Sequence, residues 1–207
     1  MPKKIDLSEL FGSPVKQDDR LFSRPIAQLH EFYLSGEIES SENYIEWFQT
    51  IRHASEADII KIYINSPGGD AFTAIQFIRA LQETDATIIM SVEGMCASAA
   101  TMIFLQGHSF EVSEHSAWMV HSYSGGVVGK GHEIHSQVMF DKGWSEKMLR
   151  EIYKDFLTEK EITKVIEGAD LWMDSSDVIK RLKAKGKKMQ KEEAAAKKTV
   201  DKDTESE

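Results

Sequence analysis

The sequence predicts an α/β fold with a parallel sheet, and three observations support that prediction. Two short runs rich in β-branched residues, at 59–65 and 87–92, have the composition of buried strands. Each run is followed by a turn that contains glycine, and then by an apolar or amphipathic helical segment, at 71–82 and 97–105. The repeated order of strand, turn and helix is typical of a parallel, right-handed ββα or βαβ succession.

Composition and charge limit the function classes to which the chain can belong. Its 207 residues suit one domain with tails, and the formal net charge of -9 argues against a general nucleic-acid binder. No apolar run approaches the roughly 20 residues of a membrane span, and the first residues lack a secretory signal pattern, so we expect a soluble, cytoplasmic protein. The single cysteine, Cys96, excludes an intrachain disulfide framework and a cysteine-cluster metal site. His132 and His135 have no carboxylate cluster at ligand spacing, so neither a metal nor a cofactor is expected.

The first part of the chain is predicted to form an arm, a short strand and a helix. Residues 1–31 alternate charge with isolated apolar side chains and contain three prolines, so we expect them to order only against the body or a neighbouring subunit. Residues 32–34 have the pattern of a strand closed by a Ser-Gly pair, and 41–52 that of a helix with one apolar, aromatic stripe. These aromatic side chains are interpreted as core or interface.

The second half is predicted to contain two short strands and three helices, at 110–112, 117–121, 132–156, 158–167 and 174–182. The first of these helices is long for a small domain, so we expect it to protrude and to meet another subunit. Beyond Lys180 the apolar stripe fails, and residues 183–207 are expected to be a charged tail, either disordered or a frayed helix. The chain is thus divided into an arm, a domain at 32–182 and a tail.

Ser98 occupies the point where one predicted strand passes into a helix. The first amides of a helix have no partner inside it, so a hydroxyl at this position can meet a substrate carbonyl beside ready hydrogen-bond donors. The neighbouring residues are small, which allows a substrate backbone to approach closely. The alternative is that Ser98 only caps the helix.

Two further positions can be interpreted either as catalytic or as purely structural. Gly68-Gly69 ends a strand, and is either an ordinary turn or a pair of backbone donors for an oxyanion. His121 ends a strand beside a Gly-rich loop, where a general base has both an ordered backbone and access to substrate. Its alternative role is that of a polar residue at a strand terminus.

Five segments together carry a resemblance to a known family. They are YLSGEIESS (33–41), YINSPGGD (63–70), GMCASAA (94–100), MVH (119–121) and DLWMDSSDVI (170–179). In order and spacing the series resembles the proteolytic subunit of the Clp protease, the ClpP family of serine peptidases, over roughly residues 32–182. The resemblance implies a ClpP/crotonase-like ββα superhelix with a protruding long helix.

The resemblance also implies an active site. It would contain a nucleophile, a general base and an orienting carboxylate in that chain order, carried by Ser98, His121 and Asp170. Backbone amides of the Gly-Gly turn and of the residue after the nucleophile would bind the oxyanion, namely those of Gly68 or Gly69 and of Ala99. Extended polypeptides would add as a strand along an edge formed by Gly125 and Gly126.

Partners are implied by the same resemblance. It implies a homo-oligomer of two stacked seven-membered rings around a chamber, unfolded polypeptides as substrates, and an AAA+ unfoldase docked on the ring faces. Because the chain has no Walker-type sequence, any ATP dependence would come from that partner. The family's Gln-Pro after the histidine is Ser122-Tyr123 here, and its methionine after the serine is Ala99. These departures are compatible with a divergent or phage-encoded member.

Several alternatives stay open at the level of sequence. Cys96 is a rival nucleophile, although its context favours a small buried side chain. Asp174 and Asp177 are rivals to Asp170 and fit helix capping better. A crotonase-like acyl-CoA enzyme would need a carboxylate base such as Glu93, whereas a noncatalytic ClpP-like ring subunit would keep the fold without the chemistry.

Overall fold

The computed structural model describes residues 26–204, with side chains described through residue 191. Residues 1–25 of the proposed arm lie outside the described residues, and its residues 29–31 belong to the first strand, which starts three residues earlier than predicted because it pairs there with the second strand. A 3-10 turn at Ser41–Tyr44 precedes the first described α-helix. In chain order the elements are β1 (Leu29–Ile38), α1 (Ile45–His53), β2 (Ile59–Gly69), α2 (Ala71–Glu83), β3 (Thr87–Ala97), α3 (Ala99–Phe104), β4 (Ser109–Val112), β5 (Ala117–Val120), α4 (Gly131–Tyr153), α5 (Glu159–Ile166), β6 (Leu171–Asp174) and α6 (Ser175–Thr204).

The described strands form one six-stranded sheet in the order β1-β2-β3-β5-β6, with β4 also paired to β3. The pairs β1–β2, β2–β3, β3–β4 and β3–β5 are parallel, which confirms the α/β prediction. The last pair, β5–β6, is antiparallel. Because β3 pairs with β4 along its first half and with β5 along its second half, the sheet divides at the middle of β3.

The hydrophobic core lies on one face of this sheet. Ile60, Ile62 and Ile64 alternate along β2 and are completely buried, whereas the side chains between them are partly exposed on the opposite face. The predicted aromatic stripe of α1 packs into the core, where the rings of Phe48 and Phe77 lie 4.8 Å apart. Phe48 is thus a core side chain, and Tyr44 and Trp47 are partly buried and pack against the core.

The central strands run further than the sequence patterns indicate. The prediction ends β2 at residue 65 and β3 at residue 92, but both continue for several residues, because new pairing partners are available there. Gly69 pairs with Ile38 at the far end of β1, and the segment after Gly94 pairs with β5. At the bend of β3, the Asn65 side chain accepts a hydrogen bond from the Met95 amide at 3.0 Å. Glycine therefore bends β3 without ending it.

The two C-terminal helices carry the remaining differences. Helix α4 is long, as predicted, and exposes a run of apolar side chains at Val138, Met139 and Phe140. The sequence pattern ends the last helix near residue 182, whereas α6 continues to Thr204. The Lys185 ammonium donates to the Leu105 carbonyl at 3.2 Å, so the first turns beyond residue 182 still contact the body. The apolar stripe fails there because polar side chains make these contacts.

Candidate active site

Ser98 sits at the junction between β3 and α3 with an unusual backbone conformation. Its φ is 53° and its ψ is -127°, and it is the one non-glycine residue with positive φ among the described residues. Such a conformation costs about 1–3 kcal/mol and persists only where the surroundings enforce it. The Ser98 amide donates to the Met119 carbonyl of β5 at 2.8 Å, which fixes the turn against the neighbouring strand.

His121 is brought to Ser98 by the pairing of β3 with β5. Ala97 pairs with Met119, so the residues that follow each strand, Ser98 and His121, leave the sheet at the same edge. The His121 Nε2 atom lies 2.7 Å from Ser98 Oγ, within hydrogen-bond distance. The imidazole is about one quarter exposed, at 27%. This is the contact that a serine nucleophile and its general base require.

Asp170 reaches the site through the antiparallel pair β5–β6. Val120 pairs with Leu171, so the next position in the register sets His121 opposite Asp170. The His121 Nδ1 atom and Asp170 Oδ1 are 3.9 Å apart, which is beyond a direct hydrogen bond. The structure thus brings all three predicted residues together. Ser98 and His121 are within hydrogen-bond distance, whereas His121 and Asp170 are not.

The glycines predicted to bind an oxyanion lie in different surroundings. Gly68 has a φ of 98°, and a methyl group on it would be 2.6 Å from Ser98 Cβ and 3.0 Å from the Ala99 nitrogen. Its amide donates to the buried Ser66 hydroxyl at 3.1 Å. Gly69 packs against the Ile38 backbone in the β1–β2 ladder and also lines the cleft that contains Ser98. Gly68 and Ala99 therefore adjoin the nucleophile, and the Gly68 amide already has a partner.

The rival residues named from the sequence lie in positions that do not favour them. Cys96 is fully buried, and burial raises the pKa of its thiol well above the ordinary value. Asp174 accepts hydrogen bonds from the Asp177 amide and the Ser176 hydroxyl, which together lower the pKa of its carboxyl, so it caps α6. Glu93 is exposed and does not line the cleft that contains Ser98. These positions leave Ser98 and Asp170 as the better candidates.

A cleft of about 430 Å³ opens over Ser98 and His121. The loop that follows β5 forms one side, and both Gly125 and Gly126 line it with exposed, unobstructed backbone. The lining also includes a stacked aromatic pair and two carboxylates, contributed by Phe72, Trp144, Asp70 and Asp141. No lysine or arginine lines the cleft in the described part of the chain, so its electrostatic character is acidic.

The aromatic pair and Asp141 are site residues that sequence reasoning missed. Phe72 and Trp144 have ring centroids 5.4 Å apart although they are far apart in the chain. The sequence pattern shows only that each residue lies in a helix, and it does not show that the two rings meet. One available signal is that Phe72 follows the Gly-Gly turn by three residues, which places it at the start of a helix next to the site.

A model of the Clp protease family matches residues 22–181, and the chain belongs to this family. The ATP-dependent Clp protease proteolytic subunit 1 of Salinibacter ruber is 30% identical over 122 residues, which cover 57% of this chain and 52% of the relative. The ATP-dependent Clp protease proteolytic subunit of Bacteroides fragilis is 28% identical over 109 residues, covering 42% and 53%. Subunit 2 of Treponema denticola is 28% identical over 169 residues, covering 78% and 83%. The recognition made from the five sequence segments is confirmed.

The first two of these matches span about half the length of the relative. Within residues 26–204 no helix combines the length and the hydropathy that crossing a membrane requires.

Proposed function

We propose that this chain is a serine endopeptidase that hydrolyses peptide bonds of unfolded polypeptides inside an oligomeric chamber. Membership of the Clp protease family supports peptidase activity. The observation that carries the serine-type assignment is the 2.7 Å approach of His121 Nε2 to Ser98 Oγ, at a backbone position held in a strained conformation. Strain of this kind is found preferentially at functional sites.

The proposed peptide hydrolysis uses the two ring nitrogens of His121, Nε2 toward Ser98 and Nδ1 toward Asp170. The Ser98 hydroxyl attacks the peptide carbonyl and passes its proton to His121 Nε2, and the imidazolium then protonates the leaving amine. A water molecule then attacks the resulting acyl-enzyme. His121 takes a proton from this water and returns it to the Ser98 oxygen as the acid product leaves. Asp170 would orient the ring through Nδ1 and stabilise its charged form, which requires the 3.9 Å separation to shorten when substrate binds.

The developing oxyanion would be held by backbone amides. Ala99 is the first residue of α3, so its amide has no acceptor inside the helix. The Gly68 amide would have to leave the Ser66 hydroxyl and turn to the oxyanion. Each such donor contributes about 10²- to 10³-fold in rate.

Substrate would lie in the cleft as an extended strand. The loop at 121–127 has exposed main-chain groups, including those of Gly125 and Gly126, that can pair with a polypeptide of varied sequence. The family implies a double ring of seven-membered layers, and the exposed apolar side chains of α4 would be buried between them. An AAA+ unfoldase would deliver the polypeptide.

The test is hydrolysis of a short fluorogenic peptide, with the oligomer mass measured on the same samples. Ser98→Ala should lower kcat roughly 10⁶-fold, in effect to background, at unchanged mass. The control Cys96→Ala should stay active, because the buried thiol takes no part in the proposed chemistry. Activity that survives in Ser98→Ala would contradict the proposal.

A noncatalytic ring subunit is the competing candidate, and the open His121–Asp170 distance is the observation that favours it. A serine-directed fluorophosphonate separates the two candidates, because labelling at Ser98 requires an activated hydroxyl. An assembled ring that neither hydrolyses peptide nor accepts the label would be structural. Casein digestion with and without an AAA+ unfoldase tests the partner, and equal rates would argue against docking.

A further inference from the structure

Two hydroxyl groups form a buried chain directly behind the candidate nucleophile. The Thr101 hydroxyl lies 2.6 Å from the Ser98 carbonyl oxygen and 2.5 Å from the Tyr153 hydroxyl. Thr101 belongs to α3 and Tyr153 to the last turn of α4, and both side chains are almost completely buried. These hydrogen bonds thus connect Ser98 to Tyr153, which is 52 residues further along the sequence than Thr101.

The direction of the two hydrogen bonds follows from the chemistry of the groups. A carbonyl oxygen can only accept, so the Thr101 hydroxyl must donate its single proton to Ser98. Thr101 Oγ1 is then left to accept from the Tyr153 hydroxyl. Burial raises the pKa of Tyr153, which keeps its phenol protonated and able to donate. Hydrogen bonds in series within a buried region polarise and strengthen one another.

The hydrogen-bonded hydroxyl groups of Thr101 and Tyr153 complete the restraint on the Ser98 backbone. On the amide side, Ser98 donates to the Met119 carbonyl of β5 at 2.8 Å. On the carbonyl side, it accepts from both the Thr101 amide, at 3.0 Å, and the Thr101 hydroxyl. A residue with a φ of 53° relaxes toward ordinary backbone angles unless both of its peptide groups are fixed. Relaxation would move Ser98 Oγ away from His121 Nε2.

We propose that Thr101 and Tyr153 are positioning residues that hold the Ser98 hydroxyl in line with His121. This inference rests on the proposed serine peptidase function. It assigns the hydroxyl groups a role separate from the packing of the Thr101 methyl and the Tyr153 ring. Variants that remove only the hydroxyl should therefore reduce the rate of the chemical step, while substrate binding along the 121–127 loop continues.

The test compares Thr101→Val, Thr101→Ser and Tyr153→Phe in the assembled protein. Thr101→Val should lower kcat by about 10- to 100-fold with KM nearly constant, since a displacement of about 1 Å can cost 10²-fold. Tyr153→Phe should have a smaller effect in the same direction, because Thr101 still donates to Ser98. Thr101→Ser keeps the hydroxyl and should restore most of the rate. Fluorophosphonate labelling of Ser98 should slow in parallel with kcat.

Thr73→Val is the matched control. Thr73 is also a buried threonine on a helix, but among the described residues its hydroxyl has no hydrogen-bond partner. Its replacement should leave both kcat and the labelling rate at wild-type values. If Thr101→Val folds poorly because the Tyr153 hydroxyl loses its partner, the double variant with Tyr153→Phe removes that unpaired group and is measured in its place.

Several outcomes would overturn the inference. Wild-type kcat in both hydroxyl-deleting variants, with wild type active and Ser98→Ala inactive, would overturn it and leave the proposed function standing. An equal loss in Thr101→Ser and Thr101→Val would assign the effect to packing, and a change confined to KM would assign it to binding. A correctly assembled wild type that neither hydrolyses peptide nor labels would overturn the inference together with the proposed function.

Discussion

Replacing Gly68 by alanine should disable the candidate site without preventing the chain from folding. The added methyl would lie 2.6 Å from Ser98 Cβ, 2.7 Å from the Ala97 carbonyl oxygen and 3.0 Å from the Ala99 nitrogen. These neighbours belong to the turn that carries the nucleophile. The φ of 98° at Gly68 is also one that residues with a Cβ avoid. The substitution therefore acts on the same turn in two ways.

The size of the effect can be worked from these contacts. Carbon atoms in favourable contact are about 3.5–4.0 Å apart, so the methyl and Ser98 Cβ would have to separate by about 1 Å. A displacement of that size at a catalytic atom can cost about 10²-fold in rate, and disturbance of a backbone donor at Gly68 costs about 10²-fold more. We expect kcat/KM to fall by about 10²- to 10⁴-fold. Strain and overlap should lower the free energy of unfolding by about 2–5 kcal/mol.

Gly36→Ala is the control that separates backbone strain from steric overlap. Gly36 has a similar φ, 82°, but a methyl group there would meet nothing within 4 Å. It should lose about 1 kcal/mol of unfolding free energy and keep wild-type activity. The assay is fluorogenic peptide hydrolysis together with urea unfolding for both variants. Activity of Gly68→Ala within about tenfold of wild type in a correctly folded protein would refute this reasoning, as would an equal loss in Gly36→Ala.

Three further predictions concern carboxylates. Asp170→Asn should lower kcat by about 10²- to 10⁴-fold, whereas the control Asp174→Asn should keep wild-type kcat, because the asparagine oxygen can still cap α6. Hydrogen bonds from the Arg181 guanidinium, and from the Thr158 amide and hydroxyl, lower the pKa of Glu161 from 4.5 to about 2, so these contacts stabilise the fold above pH 4.5 and are lost as the pH falls toward 2. The full shift corresponds to about 3 kcal/mol of unfolding free energy, and partial exposure to solvent reduces this to about 1–2 kcal/mol. Urea unfolding of wild type and Glu161→Gln should show a stability difference that vanishes at low pH. Asp141→Asn should reduce the preference for peptides with lysine or arginine beside the scissile bond, measured as a ratio of kcat/KM values for basic and acidic peptides.

The local order of strand, turn and helix could be predicted because it depends on residues close together in the chain. The isoleucines of β2 alternate clearly, and the small residues around Ser98 mark a tight junction. The ends of β2 and β3 were beyond local reasoning. They depend on pairing with Ile38 and with β5, and such partners are not encoded within either strand.

The site itself shows the same division. The positions of Ser98 and His121 at strand ends could be read from the sequence, but the φ of Ser98 is imposed by contacts with Met119 and Thr101. The strand β6 has only four residues, too few for a period-two pattern to indicate its direction or its register. Asp170 was predicted from the resemblance to a family, whereas its distance from the His121 imidazole is known only from the structure.

The antiparallel pairing of β6 has a consequence for synthesis of the protein on the ribosome. Ser98 and His121 lie in segments made well before Asp170, and the carboxylate reaches the imidazole only after β6 has docked beside β5. A nascent chain that has folded its first strands and helices would therefore still lack Asp170, the carboxylate that we propose orients His121. The hydrolytic activity that we propose would therefore wait for β6 to be made and to dock beside β5, whatever the earlier segments have already folded.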